Sequence, residues 1–112
     1  MMKVLIIEDE RPSARRLQRM LEKQGITVDE MLHSVEESIE WFASNEHPDL
    51  IFLDIQLADG ISFDIFRQVE INTPVIFTTA YDEYAIKAFQ LNSIDYLLKP
   101  ILKARYEALR ER

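Results

Sequence analysis

Short apolar runs rich in β-branched residues recur along this 112-residue chain at nearly constant intervals. They begin at residues 3, 27, 49, 74 and 94, so each starts 20 to 25 residues after the one before it. That interval accommodates one strand, one crossover helix and two loops. Four runs are almost continuously apolar, which is typical of parallel strands covered on both faces, whereas the second is polar enough for an edge strand. The pattern predicts strands at 3–7, 27–32, 49–54, 74–79 and 94–98.

The segments between these runs carry helix signals. Pro12 suits a first helical turn, and Gly25 suits a helix end. Ser34 and Glu37 have the spacing of a capping box at the start of the second helix. Further helices are predicted at 62–69, at 82–91 and after residue 100.

The alternation of strands and helices predicts a fold class. No linker, repeat or low-complexity stretch interrupts it, so we expect one domain over residues 1–112. Right-handed crossovers between parallel strands then place helices on both faces of the sheet. We therefore predict an α/β domain of the flavodoxin-like (βα)5 type, which is a doubly wound parallel sheet with strand order 2-1-3-4-5.

Composition narrows the classes of function. The net charge is −7, from 13 basic and 20 acidic residues, so the chain lacks the basic face that nucleic-acid binding requires. No apolar run approaches the ~20 residues of a membrane span, and the first residues read as a strand rather than as a signal peptide. The absence of cysteine excludes disulfides and thiolate metal sites. We expect a cytoplasmic domain that binds neither nucleic acid nor membrane directly.

Polar side chains end four of the five predicted strands. The carboxyl ends of parallel strands meet at one edge of an open sheet, where ligands bind. Carboxylates gathered there repel one another unless a cation lies between them, and a set of oxygen ligands suits Mg²⁺. We therefore predict a magnesium site at this edge. The residues at this edge are Glu8, Asp9, Glu10, Asp54, Thr78, Thr79 and Lys99, of which Lys99 can offset one negative charge itself.

Four segments carry a resemblance to a known family. The segments VLIIEDE, DLIFLDIQLADG, PVIFTTA and DYLLKP resemble the four signature segments of the response-regulator receiver domain of two-component signalling, in the same order and spacing. Within that family, FTTAYDEYAIKAF and SIDYLLKP resemble receivers of the LytR/AlgR type. Those receivers usually precede a LytTR DNA-binding domain. We therefore expect a longer parent protein whose output domain is absent from this chain.

The resemblance implies a magnesium-dependent phosphoacceptor site. Asp54 would be the phosphoacceptor and would become a 4-aspartylphosphate. Asp9 would bind Mg²⁺ directly, Glu8 would act mostly through water, and the backbone carbonyl of Gln56 would complete the protein ligands alongside Asp54. An aspartate in this role is a nucleophile that forms an acyl phosphate.

The resemblance also implies how the site changes state. Thr79 would be the switch hydroxyl, Lys99 would pair with the phosphoryl oxygens, and Tyr96 would be the aromatic switch residue. Phosphorylation would remodel the face made by the fourth helix, fifth strand and fifth helix, which is the expected homodimer surface. Tyr84, Lys87 and Ala88 belong to that face together with Tyr96.

The implied activity is that of a switch and not of an enzyme with a separate substrate. A sensor histidine kinase, or a small acyl phosphate, would donate the phosphoryl group, and the domain would catalyse only its own phosphorylation and dephosphorylation. Gln56 and Tyr81 would flank the path of the hydrolytic water. Because Tyr81 is bulky, we expect a longer-lived phosphorylated state than in receivers with a small side chain there.

Two rival functions make different demands on the sequence. A magnesium phosphatase of the haloacid-dehalogenase kind also forms an aspartyl phosphate, but it needs an acid two residues after the nucleophile, where this chain has Gln56. A flavodoxin-like cofactor binder needs a glycine- or hydroxyl-rich phosphate loop after the first strand. This chain has only Gly25 and Gly60, and acids follow its first strand.

Some polar and aromatic residues have simpler interpretations. Asp54 taken alone fits a loop cap, and Lys99 taken alone fits a surface charge. His33 and His47 read as isolated loop residues rather than as ligands. Trp41-Phe42 reads as helix packing. The basic face of the first helix reads as solvated, although the family resemblance makes Arg11 and Arg15 candidates for docking the phosphodonor protein.

Overall fold

The computed structural model describes residues 2–79 together with the backbone of the strand Ser93–Leu98. Two short strands, β4 and β5, form a small hairpin beside the main sheet. The predicted helices at 82–91 and after residue 100 lie outside the described residues. In chain order the elements are β1 (Val4–Ile7), α1 (Arg11–Lys23), β2 (Val28–Leu32), α2 (Val35–Ser44), β3 (Leu50–Asp54), β4 (Gln56–Leu57), β5 (Gly60–Ile61), α3 (Phe63–Gln68), β6 (Val75–Thr79) and β7 (Ser93–Leu98).

The main sheet has five parallel strands in the order β2-β1-β3-β6-β7. Counted over the main strands alone, this is the order 2-1-3-4-5, so the predicted flavodoxin-like topology is confirmed. The β4–β5 hairpin was not predicted, because two-residue strands carry no periodic pattern.

The sheet is covered on both faces, which is why its strands are apolar throughout. Alternate residues of a strand point to opposite faces. In β1, Leu5 and Ile7 pack with α2 and α3 through Phe42 and Phe63, whereas Ile6 packs with α1 through Leu17. These two clusters account for the near-continuous hydrophobicity of the central strands.

β2 lies at the edge of the sheet, as its polar sequence predicted. The register between β1 and β2 shifts between Val4 and Leu5, so that Val4 pairs with Val28 and Leu5 with Glu30. Asp29, the residue skipped by this pairing, accepts a hydrogen bond from the Val4 N–H at 2.8 Å. A charged, irregular edge of this kind also discourages pairing with other chains.

The helix ends follow the predicted signals with one difference. α1 has proline in its first turn, and Gly25 lies beyond its end with φ +80°. Ser34 Oγ accepts from the Glu37 N–H at 3.0 Å at the start of α2, as a capping box requires. The Glu37 carboxylate, however, accepts from the His33 N–H at 2.6 Å rather than from that of Ser34. The reciprocal bond of the capping box therefore reaches one residue further back.

Candidate functional site

Three consecutive acidic residues leave β1 at the carboxyl edge of the sheet. Each of Glu8, Asp9 and Glu10 offers a carboxylate oxygen that lies within 4.8 Å of the other two. Glu8 is only 4% exposed, whereas Glu10 is exposed. The Glu10 N–H donates to Glu8 Oε2 at 3.1 Å, which turns the chain toward α1. The predicted acidic cluster is therefore present.

Asp54 is the last residue of β3 and is only 6% exposed. β1 and β3 are adjacent, and Ile7 pairs with Leu53, so the next residues, Glu8 and Asp54, occupy neighbouring positions at the strand ends. On its other side Asp54 pairs with Thr78, which is 3% exposed. Burial disfavours carboxylates unless positive charge or hydrogen bonds compensate. Oxygen donors gathered in this way fit a hard divalent cation such as Mg²⁺.

The hairpin after Asp54 carries Gln56, whose backbone carbonyl is a predicted magnesium ligand. The Ser62 N–H donates to the Ile55 carbonyl at 2.8 Å, so the neighbouring pair of Gln56 and Ile61 is the non-hydrogen-bonded pair of the antiparallel ladder. The Gln56 carbonyl therefore points out of the ladder, and Gln56 itself is exposed. Its orientation is compatible with binding a cation.

The tip of this hairpin is bonded to the first turn of α2. Asp59 accepts from the Val35 N–H at 2.8 Å and from the Glu36 N–H at 3.0 Å. Partial burial raises the pKa of Asp59, but hydrogen bonds from the N–H groups of Val35, Glu36 and Asp59 itself outweigh it and hold the pKa below its ordinary value. Asp59 is therefore the second cap of α2, supplied from a distant part of the chain.

His33 holds the acidic loop from the opposite side. Its Nδ1 lies 2.8 Å from the Glu8 carbonyl oxygen, and its Nε2 lies 3.1 Å from Arg11 Nη1. A carbonyl only accepts and a guanidinium only donates, so these partners assign the neutral ring with its proton on Nδ1. The prediction that His33 is a loop residue is confirmed, but the interpretation that it stands alone is wrong.

The interpretation of Trp41-Phe42 as helix packing is confirmed, whereas the interpretation of His47 as isolated is wrong, as it is for His33. Phe42 is buried, Trp41 is partly buried against the same core, and their rings meet edge to face at 5.2 Å. His47 stacks edge to face on Phe42 at 5.2 Å, with its Nε2 3.3 Å from the Phe42 carbonyl. These contacts lie at the carboxyl end of α2, away from the acidic cluster.

The strand pairing extends the site toward the predicted switch residues. Thr79 ends β6 and pairs with Leu98 of β7, and Tyr96 of β7 pairs with Phe77. Lys99 directly follows Leu98 in the sequence and lies outside the described residues, as do Tyr81, Tyr84, Lys87 and Ala88. The roles predicted for Thr79, Lys99 and Tyr96 remain predictions.

Fold and site together define a doubly wound α/β domain with a cluster of carboxylates at the carboxyl ends of its central strands. The model of the response regulator receiver domain family matches residues 4–110. The chain belongs to this family, whose members are signalling modules of two-component systems. No helix of residues 2–79 is long and apolar enough to cross a membrane.

Curated relatives agree with the predicted subfamily. The sensory transduction protein LytT of Bacillus anthracis is 36% identical over 109 residues, which cover 94% of this chain and 44% of that protein. The sensory transduction protein LytR of Staphylococcus haemolyticus is 39% identical over 110 residues, covering 95% of this chain and 43% of that protein. The chain thus spans less than half the length of these relatives.

Solved structures agree with the fold. The amino-terminal domain of a response regulator/sensory box/GGDEF three-domain protein from Carboxydothermus hydrogenoformans superimposes with a TM-score of 0.83 at 29% identity, covering 97% of this chain and 90% of that one. The response regulatory domain of protein mrkE from Klebsiella pneumoniae gives 0.83 at 28% identity, covering 98% and 93%. Both similarities extend over nearly the whole chain.

Proposed function

We propose that this domain is a phosphorylation-activated switch that accepts a phosphoryl group on Asp54 from a sensor histidine kinase or a small acyl phosphate. The observation that carries the proposal is the burial of Asp54 at a strand end, next in register to Glu8 and its acidic neighbours. A buried carboxylate on a rigid strand is well positioned to act as a nucleophile.

The reaction is a phosphoryl transfer. One carboxylate oxygen of Asp54 attacks phosphorus, the bond from phosphorus to the donor atom breaks, and the donor atom keeps the electron pair. Asp9, Asp54 and the Gln56 carbonyl would hold Mg²⁺ directly, and Glu8 would act mostly through water. The ion would neutralise charge on the phosphoryl oxygens. The chain's own residues supply positioning, so the domain catalyses only its own phosphorylation and dephosphorylation.

The remaining site residues carry the change of state. Lys99 pairs with a phosphoryl oxygen, Thr79 donates its hydroxyl to another, and Tyr96 turns inward as Thr79 moves. The remodelled face, which includes Tyr96, forms a homodimer or controls a partner. Arg11 and Arg15, both exposed on α1, are candidates for contact with the kinase.

We place this switch in the cytoplasm, within a longer protein. The similarity to LytT and LytR proteins, which are more than twice as long as the matched region, supports a carboxyl-terminal LytTR output domain that binds DNA. The acidic receiver domain itself, with net charge −7, does not contact DNA.

The decisive experiment is intact-mass spectrometry after incubation with Mg²⁺ and acetyl phosphate. The parent should gain one phosphoryl mass, and Asp54→Asn or added EDTA should abolish the gain. Asp64→Asn, which alters a partly exposed carboxylate paired with Arg67, is the control and should label like the parent. Full labelling of Asp54→Asn would refute the assignment. Turnover of a generic phosphomonoester would instead favour a phosphatase, and yellow colour on purification would favour a flavin-binding module.

A further inference from the structure

A side chain of the hairpin after Asp54 is hydrogen-bonded to the start of α2. Asp59 lies at its tip, and its Oδ1 and Oδ2 accept from the N–H groups of Val35 and Glu36, which lie 24 and 23 residues earlier in the chain. The adjacent Gly60 has φ +148°, a conformation that other residues rarely adopt. The tip of the hairpin is therefore fitted to this helix end.

α2 has a local cap of its own. Ser34 Oγ accepts from the Glu37 N–H, which is a different N–H group from those that Asp59 uses. The first four N–H groups of a helix have no partner within the helix, and a single cap normally satisfies one or two of them. Asp59 therefore adds a long-range connection to a helix end that already carries its local cap.

The same first turn also holds the other half of the site. The Glu37 carboxylate accepts from the His33 N–H, and the His33 ring donates to the Glu8 carbonyl. The acidic loop is thus bonded to the start of α2 through His33, and the Gln56 hairpin is bonded to it through Asp59. The acidic loop and the Gln56 hairpin, which carry the predicted ligands, are therefore both connected by hydrogen bonds to the first turn of α2.

We propose that Asp59 is a positioning residue for magnesium binding, which fixes the Gln56 carbonyl relative to Glu8 and Asp9 by bonding the hairpin to α2. This inference rests on the proposed function, because it takes the Gln56 carbonyl as a ligand. Mg²⁺ demands near-ideal octahedral geometry and tolerates displaced ligands poorly. Outer partners that orient metal ligands typically change affinity 10- to 100-fold when removed.

The first comparison separates positioning from helix capping. Asp59→Ala and Ser34→Ala each remove a cap from the same helix end, and each should lower the melting temperature without metal by about 4 °C. Only Asp59→Ala should weaken Mg²⁺ binding, by about tenfold in isothermal titration calorimetry with Mg²⁺ alone. At saturating Mg²⁺, its phosphorylation rate should return close to that of the parent.

The second comparison separates positioning from charge. Asp59→Asn removes the negative charge and keeps one oxygen, which can accept from the Val35 N–H, whereas its amide nitrogen cannot accept from the Glu36 N–H. Its Mg²⁺ affinity should stay within about threefold of the parent, since outer-shell contacts and not distant charge set the ligand geometry. Equal weakening in Asp59→Asn and Asp59→Ala would mean that the retained bond to α2 does not position the hairpin, and it would overturn the inference.

Three further outcomes are decisive. If Asp59→Ala bound Mg²⁺ as tightly as the parent, or if Ser34→Ala weakened Mg²⁺ binding equally, the positioning role of Asp59 would be overturned. Phosphorylation of Asp54 in the parent would still support the proposed function. A parent domain that neither binds Mg²⁺ nor gains a phosphoryl mass would instead refute the proposed function, and this inference with it.

Discussion

Two neighbouring loops supply the oxygen atoms of the site, and they are held by different kinds of contact. The acidic loop after β1 is held mainly through its backbone, since the Glu8 N–H donates to the Leu32 carbonyl at 2.9 Å and the Glu8 carbonyl accepts from His33. The hairpin after β3 is held at its tip by the carboxylate of Asp59. In the acidic loop the charged side chains are themselves proposed ligands. In the hairpin the charged side chain is that of Asp59, which positions a ligand, the Gln56 carbonyl.

Variants in these two loops can therefore distinguish the effect of charge on Mg²⁺ binding from the effect of ligand position. Removing a carboxylate from the first loop deletes a donor and relieves repulsion at the same time. Removing the carboxylate of the second loop deletes no donor but releases the segment that carries one. Removing a carboxylate from either loop should therefore weaken Mg²⁺ binding. In the acidic loop the change should raise the stability of the metal-free domain, whereas in the hairpin it should lower that stability.

The largest effect is expected from the first loop. Asp9→Asn should weaken Mg²⁺ binding by at least about 100-fold, the upper end for outer-shell changes, because a direct donor loses its charge. Without metal the variant should melt higher than the parent, since three carboxylate oxygens within 4.8 Å repel one another. Calorimetry and thermal melts measure both quantities. Glu40→Gln, at an exposed position on α2, is the charge-matched control and should change neither. A lower melting temperature for Asp9→Asn would contradict the repulsion.

A smaller effect is expected from the contact that holds the first loop. His33→Ala removes the Nδ1–H donor of the Glu8 carbonyl and should cost about 1 kcal/mol of unfolding free energy, the net worth of one hydrogen bond. It should also weaken Mg²⁺ binding, but less than Asp9→Asn does. His33→Asn places an amide N–H near the position of Nδ1 and should restore most of both losses. Denaturant unfolding and calorimetry measure the two effects.

The control for this prediction is Arg11→Ala. That change removes the Nε2 partner and leaves the bond from Nδ1 to Glu8 in place. Its Mg²⁺ affinity should stay close to that of the parent. If Arg11→Ala weakens binding as strongly as His33→Ala, the bond to the Glu8 carbonyl is not what positions the loop.

The same comparison explains how much of the site could be predicted from the sequence. The order of the main strands and the acids at their ends follow from local patterns, namely apolar runs at regular spacing and charges that interrupt them. Asp59 has no such pattern. Followed by Gly60, it reads as an ordinary turn residue, and its partners lie 24 and 23 residues away. His33 was predicted as an isolated residue for the same reason, since its contact with Glu8 spans 25 positions.

The smallest expected effect is a pH dependence of stability that arises from Asp59 in the hairpin after β3. The pKa of Asp59 is lower in the folded domain than its ordinary value, so its charge contributes stability that is fully present above the ordinary aspartate pKa of about 4. That contribution is lost as the pH falls through the depressed pKa. The gap in melting temperature between parent and Asp59→Asn should therefore be constant from about pH 7 to pH 5 and shrink below about pH 4.

The effect should be small, because Asp59 is exposed and solvent screens its interactions. The other carboxylates are the same in both proteins, so their contributions cancel in the difference. The gap between parent and Ser34→Ala is the control, since serine does not titrate and this gap should change little with pH. Both gaps are measured without metal, so that release of Mg²⁺ at low pH does not enter. An Asp59→Asn gap that persists unchanged at pH 3 would mean that the bonds to α2 do not favour the charged form, and that the hairpin is held by shape rather than by the carboxylate.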